Sequence, residues 1–250
     1  MCAPAGRPDL TAALLDSIPG GVVFSTGDSA YFHGSIEDYQ TCYNPSWGRH
    51  KERTRPAPGN HDYETPGAAG YFAYFGDSAG PPGLGYYSYR LGSWHIIALN
   101  SEISAFPGSP QIEWLRADLT ANPSLCTLAY FHTPVFGSGA NGGNLQMQAA
   151  WRVLYEFGAD VVINGHNHSY ERFAPQDPDG GNDLARGIRE FVAGTGGAEL
   201  TGFPRIRANS EARSATWGVL KLTLRTIGYN WQFVPVAGES FSDSGSASCH

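Results

Sequence analysis

Apolar and polar positions along this chain change period several times, and the changes predict alternating helices and strands. Around Asp9 the pattern is amphipathic, with Leu14 and Leu15 on one face, Asp9 as N-cap and Pro19-Gly20 as terminator. Residues 21–26 form a short β-prone apolar run that leads directly into Gly27-Asp28, and residues 36–43 read as a helix. Residues 86–91 and 94–99 read as two strands joined by a Gly92-Ser93 turn. Ser109-Pro110 starts a helix that passes Trp114 and Leu115, because proline at the first helical position gives up no hydrogen bond. Residues 125–131 are a strand emptying into His132, residues 146–157 a helix, and residues 159–163 a strand emptying into Asn164-Gly165-His166. Residues 191–193, 217–224 and 229–234 complete the predicted strands.

Helices alternating with strands in the middle, followed by strands alone, predict an α/β fold that becomes antiparallel at its end. There is no composition break and no repeat, so a single domain over residues 1–239 is expected, with 177–182 as a surface loop and the Ser/Gly-rich residues 240–250 as a tail. A chain of 250 residues with 41% hydrophobic and 16% charged positions builds a core and is not disordered; 32 glycines and 17 prolines point to long loops on a sheet scaffold.

The formal net charge of -7 and the absence of a basic stripe argue against nucleic acid as a partner. No apolar run is long enough to cross a bilayer, so no membrane partner is expected. Met1 to Leu10 lacks the charged-then-apolar pattern of a signal peptide. The four cysteines, Cys2, Cys42, Cys126 and Cys249, form no CxxC pair. Three pairings are possible; Cys2 with Cys42 and Cys126 with Cys249 is the expected one, with four reduced thiols as the alternative.

Three predicted strands end at residues able to bind metal: Asp28, His132 and His166. In open α/β sheets ligands bind beyond the carboxyl ends of strands, so these residues are expected to converge. Around them lie four polar motifs: Gly27-Asp-Ser-Ala-Tyr31, Gly59-Asn-His-Asp62, Phe131-His-Thr-Pro134 and Gly165-His-Asn-His-Ser-Tyr-Glu-Arg172. The carboxylate of Asp28 can bridge two cations, and Tyr31 lies close enough to join as a phenolate. Asn60 offers a neutral carbonyl oxygen, and the imidazoles of His132, His166 and His168 suit zinc, iron or manganese. Taken singly, each motif has a plainer reading: a turn at Asp28 or Gly59, a structural His132, two surface histidines after Gly165. Their joint occurrence is what favours metal. His95 reads as a core histidine, His50 as solvated, His33 as a possible lining residue, and Glu171 with Arg172 as a pair buttressing the histidine loop.

In this order and spacing the four motifs resemble the calcineurin-like metallophosphoesterases, and among them the purple acid phosphatase branch, where a tyrosine follows the bridging aspartate. The resemblance runs from about the Asp9 helix to the 229–234 strand. It implies a four-layer αββα sandwich and a site holding two metal ions, iron with iron, zinc or manganese. Asp28 would bridge them, Tyr31 and His168 would hold the first ion, and Asn60, His132 and His166 the second. His61 would face a small phosphorylated substrate as the catalytic acid. The implied reaction is hydrolysis of phosphate esters, most simply phosphomonoesters, in a secreted or cell-envelope protein. A phosphodiesterase on the same site, a catalytically impaired metal- or phosphate-binding relic, and a carbohydrate- or protein-binding β module are the other readings.

One departure stands out. The family opens with a strand ending in a further aspartate ligand, and this sequence provides neither; Asp9 suits a helix cap better. An N-terminally shortened domain is therefore expected, its first ion held by Asp28, Tyr31 and His168 alone. A strand with three or four large buried side chains, at roughly 1.5–3 kcal/mol each, is large against the stability of a domain, so reduced stability is expected too.

Overall fold

The computed structural model describes residues 5–250. Helix α1 (Pro8–Asp16) precedes strand β1 (Val23–Thr26), and the short α2 (Ile36–Asp38) runs on through a wide turn at Tyr39–Tyr43. Strand β2 (Thr54–Ala57), helix α3 (Ala69–Phe75) and the hairpin β3 (Tyr87–Leu91) and β4 (Trp94–Ala98) follow. Then come α4 (Pro110–Ala121), β5 (Cys126–Tyr130), α5 (Gln148–Glu156) and β6 (Val161–Asn164). The chain ends with β7 (Tyr170–Phe173), β8 (Arg189–Ala193), β9 (Ser210–Ser214), β10 (Gly218–Arg225), β11 (Gly228–Pro235) and β12 (Ser244–Ser248).

Seven strands form one sheet in the order β3-β4-β5-β6-β8-β7-β9, with β4, β5, β6 and β8 parallel to their neighbours in that series. Strands buried on both faces read as continuous apolar runs, which is why β4, β5 and β6 are buried at every position. One face, with Ile97, Leu99, Ala129, Phe131 and Val162, packs on Ile112 and Leu115 of α4 and on Trp151 and Leu154 of α5. The other face, with Trp94, Ile96, Leu128, Tyr130, Ile163 and Phe191, packs on Tyr229, Trp231 and Phe233 of β11. Beyond this second β layer, Ala12 and Leu15 of α1 join Tyr39, Tyr43, Tyr71 and Phe75 in a third cluster that includes Val23 and Val219. The order of layers is αββα, as the resemblance implied.

The second β layer is not one sheet. Strands β1 and β2 pair in parallel with each other, β10-β11-β12 form a separate antiparallel sheet, and β1 and β10 face each other across a cleft of about 620 Å3.

Several expectations are corrected. Asp9 lies inside the first turn of α1 and caps nothing; Pro8 is the first helical residue after Arg7, and the C-terminal carbonyls of Leu15 and Ile18 accept from Arg53. Residues 240–250 are not a tail: β12 pairs with β11 from Ser244 to Ser248, and Cys249 is bonded to Cys126. Alternate side chains of β12 face outward, so small polar residues suffice for an edge strand. The other expected pairing involves Cys2, which lies outside the described residues. Strands β2, β7 and β9 and helix α3 went unread, β2 because its Arg55-Pro56 resembles a loop and β9 because it alternates polar residues. Among the described residues no helix is long and apolar enough to cross a membrane.

Candidate metal centre

Strand β1 runs out into Gly27-Asp28, β5 into His132 and β6 into Gly165-His166, so the three meet at one end of the β layers. The turn after β1 is tight: a Cβ on Gly27 would stand 2.7 Å from His132 Nδ1, and one on Gly59 would run into the Asp28 carboxylate. Asp28 and His166 both take left-handed backbone (φ 52° and 62°), a conformation that costs non-glycine residues energy and persists where the surroundings fix it.

What fixes Asp28 is Asp62. Its Oδ2 accepts the backbone N–H groups of Gly59 (2.8 Å) and Asp28 (3.1 Å), and its Oδ1 accepts the Tyr39 hydroxyl (2.5 Å). Burial and the nearby Asp28 charge raise Asp62 to about 6. The histidine loop is fixed by Asn167, which accepts the Asn141 N–H (2.9 Å) and donates to the Gly142 carbonyl (2.8 Å), while Asn141 donates to the His166 carbonyl (2.9 Å).

All seven residues expected at the site are brought together. His132 Nε2 lies 3.1 Å from Asp28 Oδ2, 3.0 Å from Asn60 Oδ1 and 3.1 Å from His166 Nδ1, and His166 Nδ1 lies 3.1 Å from Asn60 Oδ1. On the other side of Asp28, Tyr31 Oη lies 3.4 Å from Asp28 Oδ2 and 3.0 Å from His168 Nε2. His61 donates its backbone N–H to Asp28 Oδ1 (2.8 Å), and its ring stands 4.6 Å from that of Tyr31. Asp28 Oδ2 therefore touches two groups of donors, His132 with its neighbours and Tyr31 with His168. His33 is exposed and engages through its backbone, which donates to Asp38 and accepts from Thr65.

The ring orientations are set by carbonyls. Nδ1 of His132 donates to Thr26 (2.7 Å), Nδ1 of His168 to Glu199 (2.7 Å) and Nδ1 of His61 to Phe32 (2.6 Å). Such bonds fix the tautomer, so Nε2 is the atom that His132 and His168 present to the centre. Burial alone would lower His132, but the Asp28 carboxylate outweighs it and raises the imidazole to about 9. Burial, then the positive His132, lowers His166 to about 4. Burial works against the Asp28 charge, yet His132 and His61 hold its carboxyl well below the usual range.

This donor set fits metal ions. Asp28, His132 and His166 place ligand atoms within 4.8 Å of one another, and the Asn60 oxygen joins them. Three nitrogen and oxygen acceptors crowded within about hydrogen-bond distance repel unless something positive sits among them. Tyr31 fits less readily: burial and then Asp28 push its phenol far above the ordinary value, so only a strongly polarising ion would take its oxygen as a phenolate.

Sequence reasoning missed Asp62, Tyr39 and the three carbonyls. Asp62 had a signal, as the fourth residue of the Gly59 motif; backbone carbonyls carry none. His95 is a core histidine with Nε2 2.9 Å from Asp118, as expected, whereas His50 is not solvated but lies 2.9 Å from Asp16. Glu171 and Arg172 do not pair with each other. Glu171 accepts from Ser138 (2.8 Å) and Ser210, and Arg172 engages Asp243 (2.7 Å) and Glu211, so each buttresses a different segment.

The sequence profile described as calcineurin-like phosphoesterase matches residues 4–170. Purple acid phosphatase 15 of Arabidopsis thaliana is 30% identical over 155 residues, which is 54% of this chain and 29% of that protein. Acid phosphatase type 7 of Homo sapiens is 28% identical over 176 residues, 57% of this chain and 39% of that protein. The chain thus spans well under half the length of these relatives. Among solved structures, a purple acid phosphatase from yellow lupin seeds superposes with a TM-score of 0.78 at 19% identity, over 96% of this chain and 48% of that one.

Proposed function

The chain belongs to the calcineurin-like phosphoesterase family, and from that premise we propose that it hydrolyses phosphate esters, most simply phosphomonoesters, at a centre of two metal ions. The observation that carries the reading is the position of Asp28, whose Oδ2 touches both His132 and Tyr31, the latter itself 3.0 Å from His168. Asn60, His132 and His166 would hold one ion, Tyr31 and His168 the other, with Asp28 shared. When bound, ions of this kind lower the pKa of an attacking water and neutralise phosphoryl oxygens. Iron with iron, zinc or manganese matches imidazole, carboxylate and phenol donors.

The protein's own groups then have distinct tasks. Asp62 and Asn167 hold the two loops so that donors need not reorganise when substrate arrives. His61, half-buried with its Nδ1–H on the Phe32 carbonyl, leaves Nε2 for the substrate, and only as an imidazolium can that nitrogen give a proton to the leaving oxygen or a hydrogen bond to phosphate. With a net charge of -7 the chain brings little positive potential of its own, so binding an anionic substrate depends on the ions. The Cys126–Cys249 bond supports an oxidising location, secreted or in the cell envelope.

A second reading, a metal-binding domain with impaired turnover, is favoured by the looser side of the cluster. Among the described residues His168 does not join Asp28, His132 and His166 in the group whose ligand atoms lie within 4.8 Å of one another. One experiment separates the two: count bound Fe, Zn and Mn per chain and assay an aryl phosphate. Two ions with turnover that His132→Ala abolishes supports the enzyme; one ion or none, without turnover, overturns it.

A further inference from the structure

Directly after His132 and Thr133 the chain forms an irregular segment, residues 134–143, with neither helix nor strand to satisfy its backbone groups. Its ends are drawn together by the Asn144 N–H, which donates to the Pro134 carbonyl (2.9 Å). This segment holds the histidine loop: the Asn141 side chain donates to the His166 carbonyl (2.9 Å), and the Asn141 N–H donates to Asn167 Oδ1 (2.9 Å). The approach is close, since a Cβ on Gly139 would stand 2.6 Å from the Asn167 side chain. The same segment rests on two buried carboxyl groups. The Ser138 N–H donates to Glu171 Oε2 (2.8 Å) and the Phe136 N–H to Glu190 Oε1 (3.4 Å). Glu171 is 1% exposed and Glu190 0%.

We propose that Glu171 and Glu190 are positioning residues for the histidine loop: together they fix segment 134–143 to the large sheet, and the segment fixes His166. Both carboxyl groups rise from one face of that sheet. Glu171 on β7 pairs with Val192 on β8, and Glu190 lies two residues from Val192, so alternation puts all three side chains on the same side. That face is apolar, with Phe173, Val192 and Phe136 in the core around it. A carboxyl group is costly there unless it is partnered, and a leucine would pack without that cost but leave the Ser138 and Phe136 N–H groups without an acceptor. The two groups divide the task. A charged acceptor bonds roughly twice as strongly as a neutral one, which suits the short bond from Ser138 and the second one that Glu171 accepts from Ser210. Burial raises Glu190 well above its ordinary value, against the Phe136 N–H and with the help of the Glu171 charge. It stands as the neutral acid, with a longer bond and a buried Oε2 that makes no hydrogen bond, an arrangement far costlier for a carboxylate. Glu171 is the main anchor.

The link matters because of what it joins. Segment 134–143 starts two residues after His132 and grips the backbone of His166, whose Nδ1 lies 3.1 Å from His132 Nε2. His166 holds a left-handed backbone (φ 62°), which persists only where neighbours impose it, and the bond from Asn141 to its carbonyl is such a constraint. The consequence for metal rests on His166 being a ligand, as proposed above; the mechanical link does not.

Two readouts test it: amide hydrogen exchange at residues 165–168 of the metal-free protein, and zinc affinity by calorimetric titration. Glu171→Ala removes the main anchor, and Asn141→Ala, at an exposed position, cuts the other end of the link. Each is expected to speed exchange about tenfold and to weaken zinc binding about tenfold. The double variant is expected to be no worse than the worse single one, because both break one connection. Glu171→Gln, which keeps an acceptor and the fold, is expected to show the same coupling with Asn141→Ala at a smaller loss. Glu190→Gln, a neutral acceptor for Phe136, is expected to stay within about twofold of the parent in both readouts. Cys249→Ser, which loosens the opposite end of the sheet, is expected to do the same. Parent-like exchange and affinity in both Glu171 variants, losses that multiply in the double variant, or equal losses in Cys249→Ser would each overturn the proposal. A parent that binds no zinc would sink the metal reading alone, because the exchange measurement is made without metal.

Discussion

The same two strands end in opposite ways. At their carboxyl ends β5 and β6 deliver His132 and His166 to a crowd of acceptors with a left-handed backbone and competing pKa shifts. At the opposite end sits a second group of potential metal donors, Cys126, Asp160 and Cys249, whose atoms also lie within 4.8 Å of one another. Here the sulfurs are spent on each other as a disulfide, and Asp160 accepts the backbone N–H groups of Thr127 (2.8 Å) and His250 (3.0 Å). At one end the ligand atoms are in non-covalent contact with one another at 3.0–3.1 Å; the other is closed by a covalent bond and hydrogen bonds. Clustered donors alone do not make a metal site. What distinguishes the two ends is the kind of partner: the sulfurs are closed by a covalent bond, whereas the other end is held by contacts of 3.0–3.4 Å that a cation can replace.

Removing His132 tests the open end most severely. His132→Ala deletes a nitrogen that faces Asp28, Asn60 and His166 together, and activity on an aryl phosphate is expected to fall by well over the roughly 10–100-fold typical of an outer-sphere partner. Metal counts should fall by about one ion per chain while the thermal midpoint changes little. Retained metal with retained turnover would remove His132 from the centre.

Cys249→Ser tests the closed end. The bond spans 123 residues of sequence, and by loop-closure arguments its loss costs about 2–5 kcal/mol. A drop in melting temperature of roughly 5–15 °C is expected, with kcat for the remaining folded protein unchanged. A change in kcat with unchanged stability would mean that the two ends are not independent.

Tyr31→Phe probes the looser side of the open end. The ring still packs against His61, but the oxygen near Asp28 and His168 is gone. The expected loss is about tenfold in activity, the scale of one misplaced supporting group, together with loss of any visible tyrosinate-to-iron absorption after ferric loading. Unchanged colour and rate would take Tyr31 out of the ligand set.

Much of the open end was legible in the sequence because it is built from side chains at strand ends. Asp28, His132 and His166 sit where an apolar run breaks at glycine or a polar residue, and the apolar run itself announces the strand; Asn60 and His61 follow β2, which had no such run, and were legible only through the Gly59 motif. The closed end was legible only as a cysteine pairing. Residues 244–248 carry serine, glycine and alanine, which look like a tail, and nothing local says that the Cys126 bond will draw them to the edge of β11. The same reason hid β7 and β9: their positions alternate between partners supplied from distant parts of the chain, such as Asp243 for Arg172 and Ser210 for Glu171. Donors that point outward from an element can be read locally, whereas strands that exist because of what they pair with cannot.

The smallest expected effect concerns Asp160, and its sign is specific. Burial raises this carboxyl from 3.8 to about 6, against hydrogen bonds from Thr127 and His250 that favour the charge. In the unfolded chain the proton leaves near pH 4, in the folded protein near pH 6. Between these values the folded state holds more proton, so the contribution of Asp160 to stability falls as pH rises from about 4 to 6 and stays low above that. His250 faces it with Nδ1 3.2 Å away and is among the groups that already hold the carboxyl down to about 6. Asp160→Asn keeps an acceptor for Thr127 but cannot ionise. Relative to the parent it is expected to gain about 2–4 °C in melting temperature between pH 4 and pH 7, with the parent's disulfide intact in both. Parallel melting curves across that range would show that the closed end is neutral to protons, and that its carboxylate is held by the backbone alone.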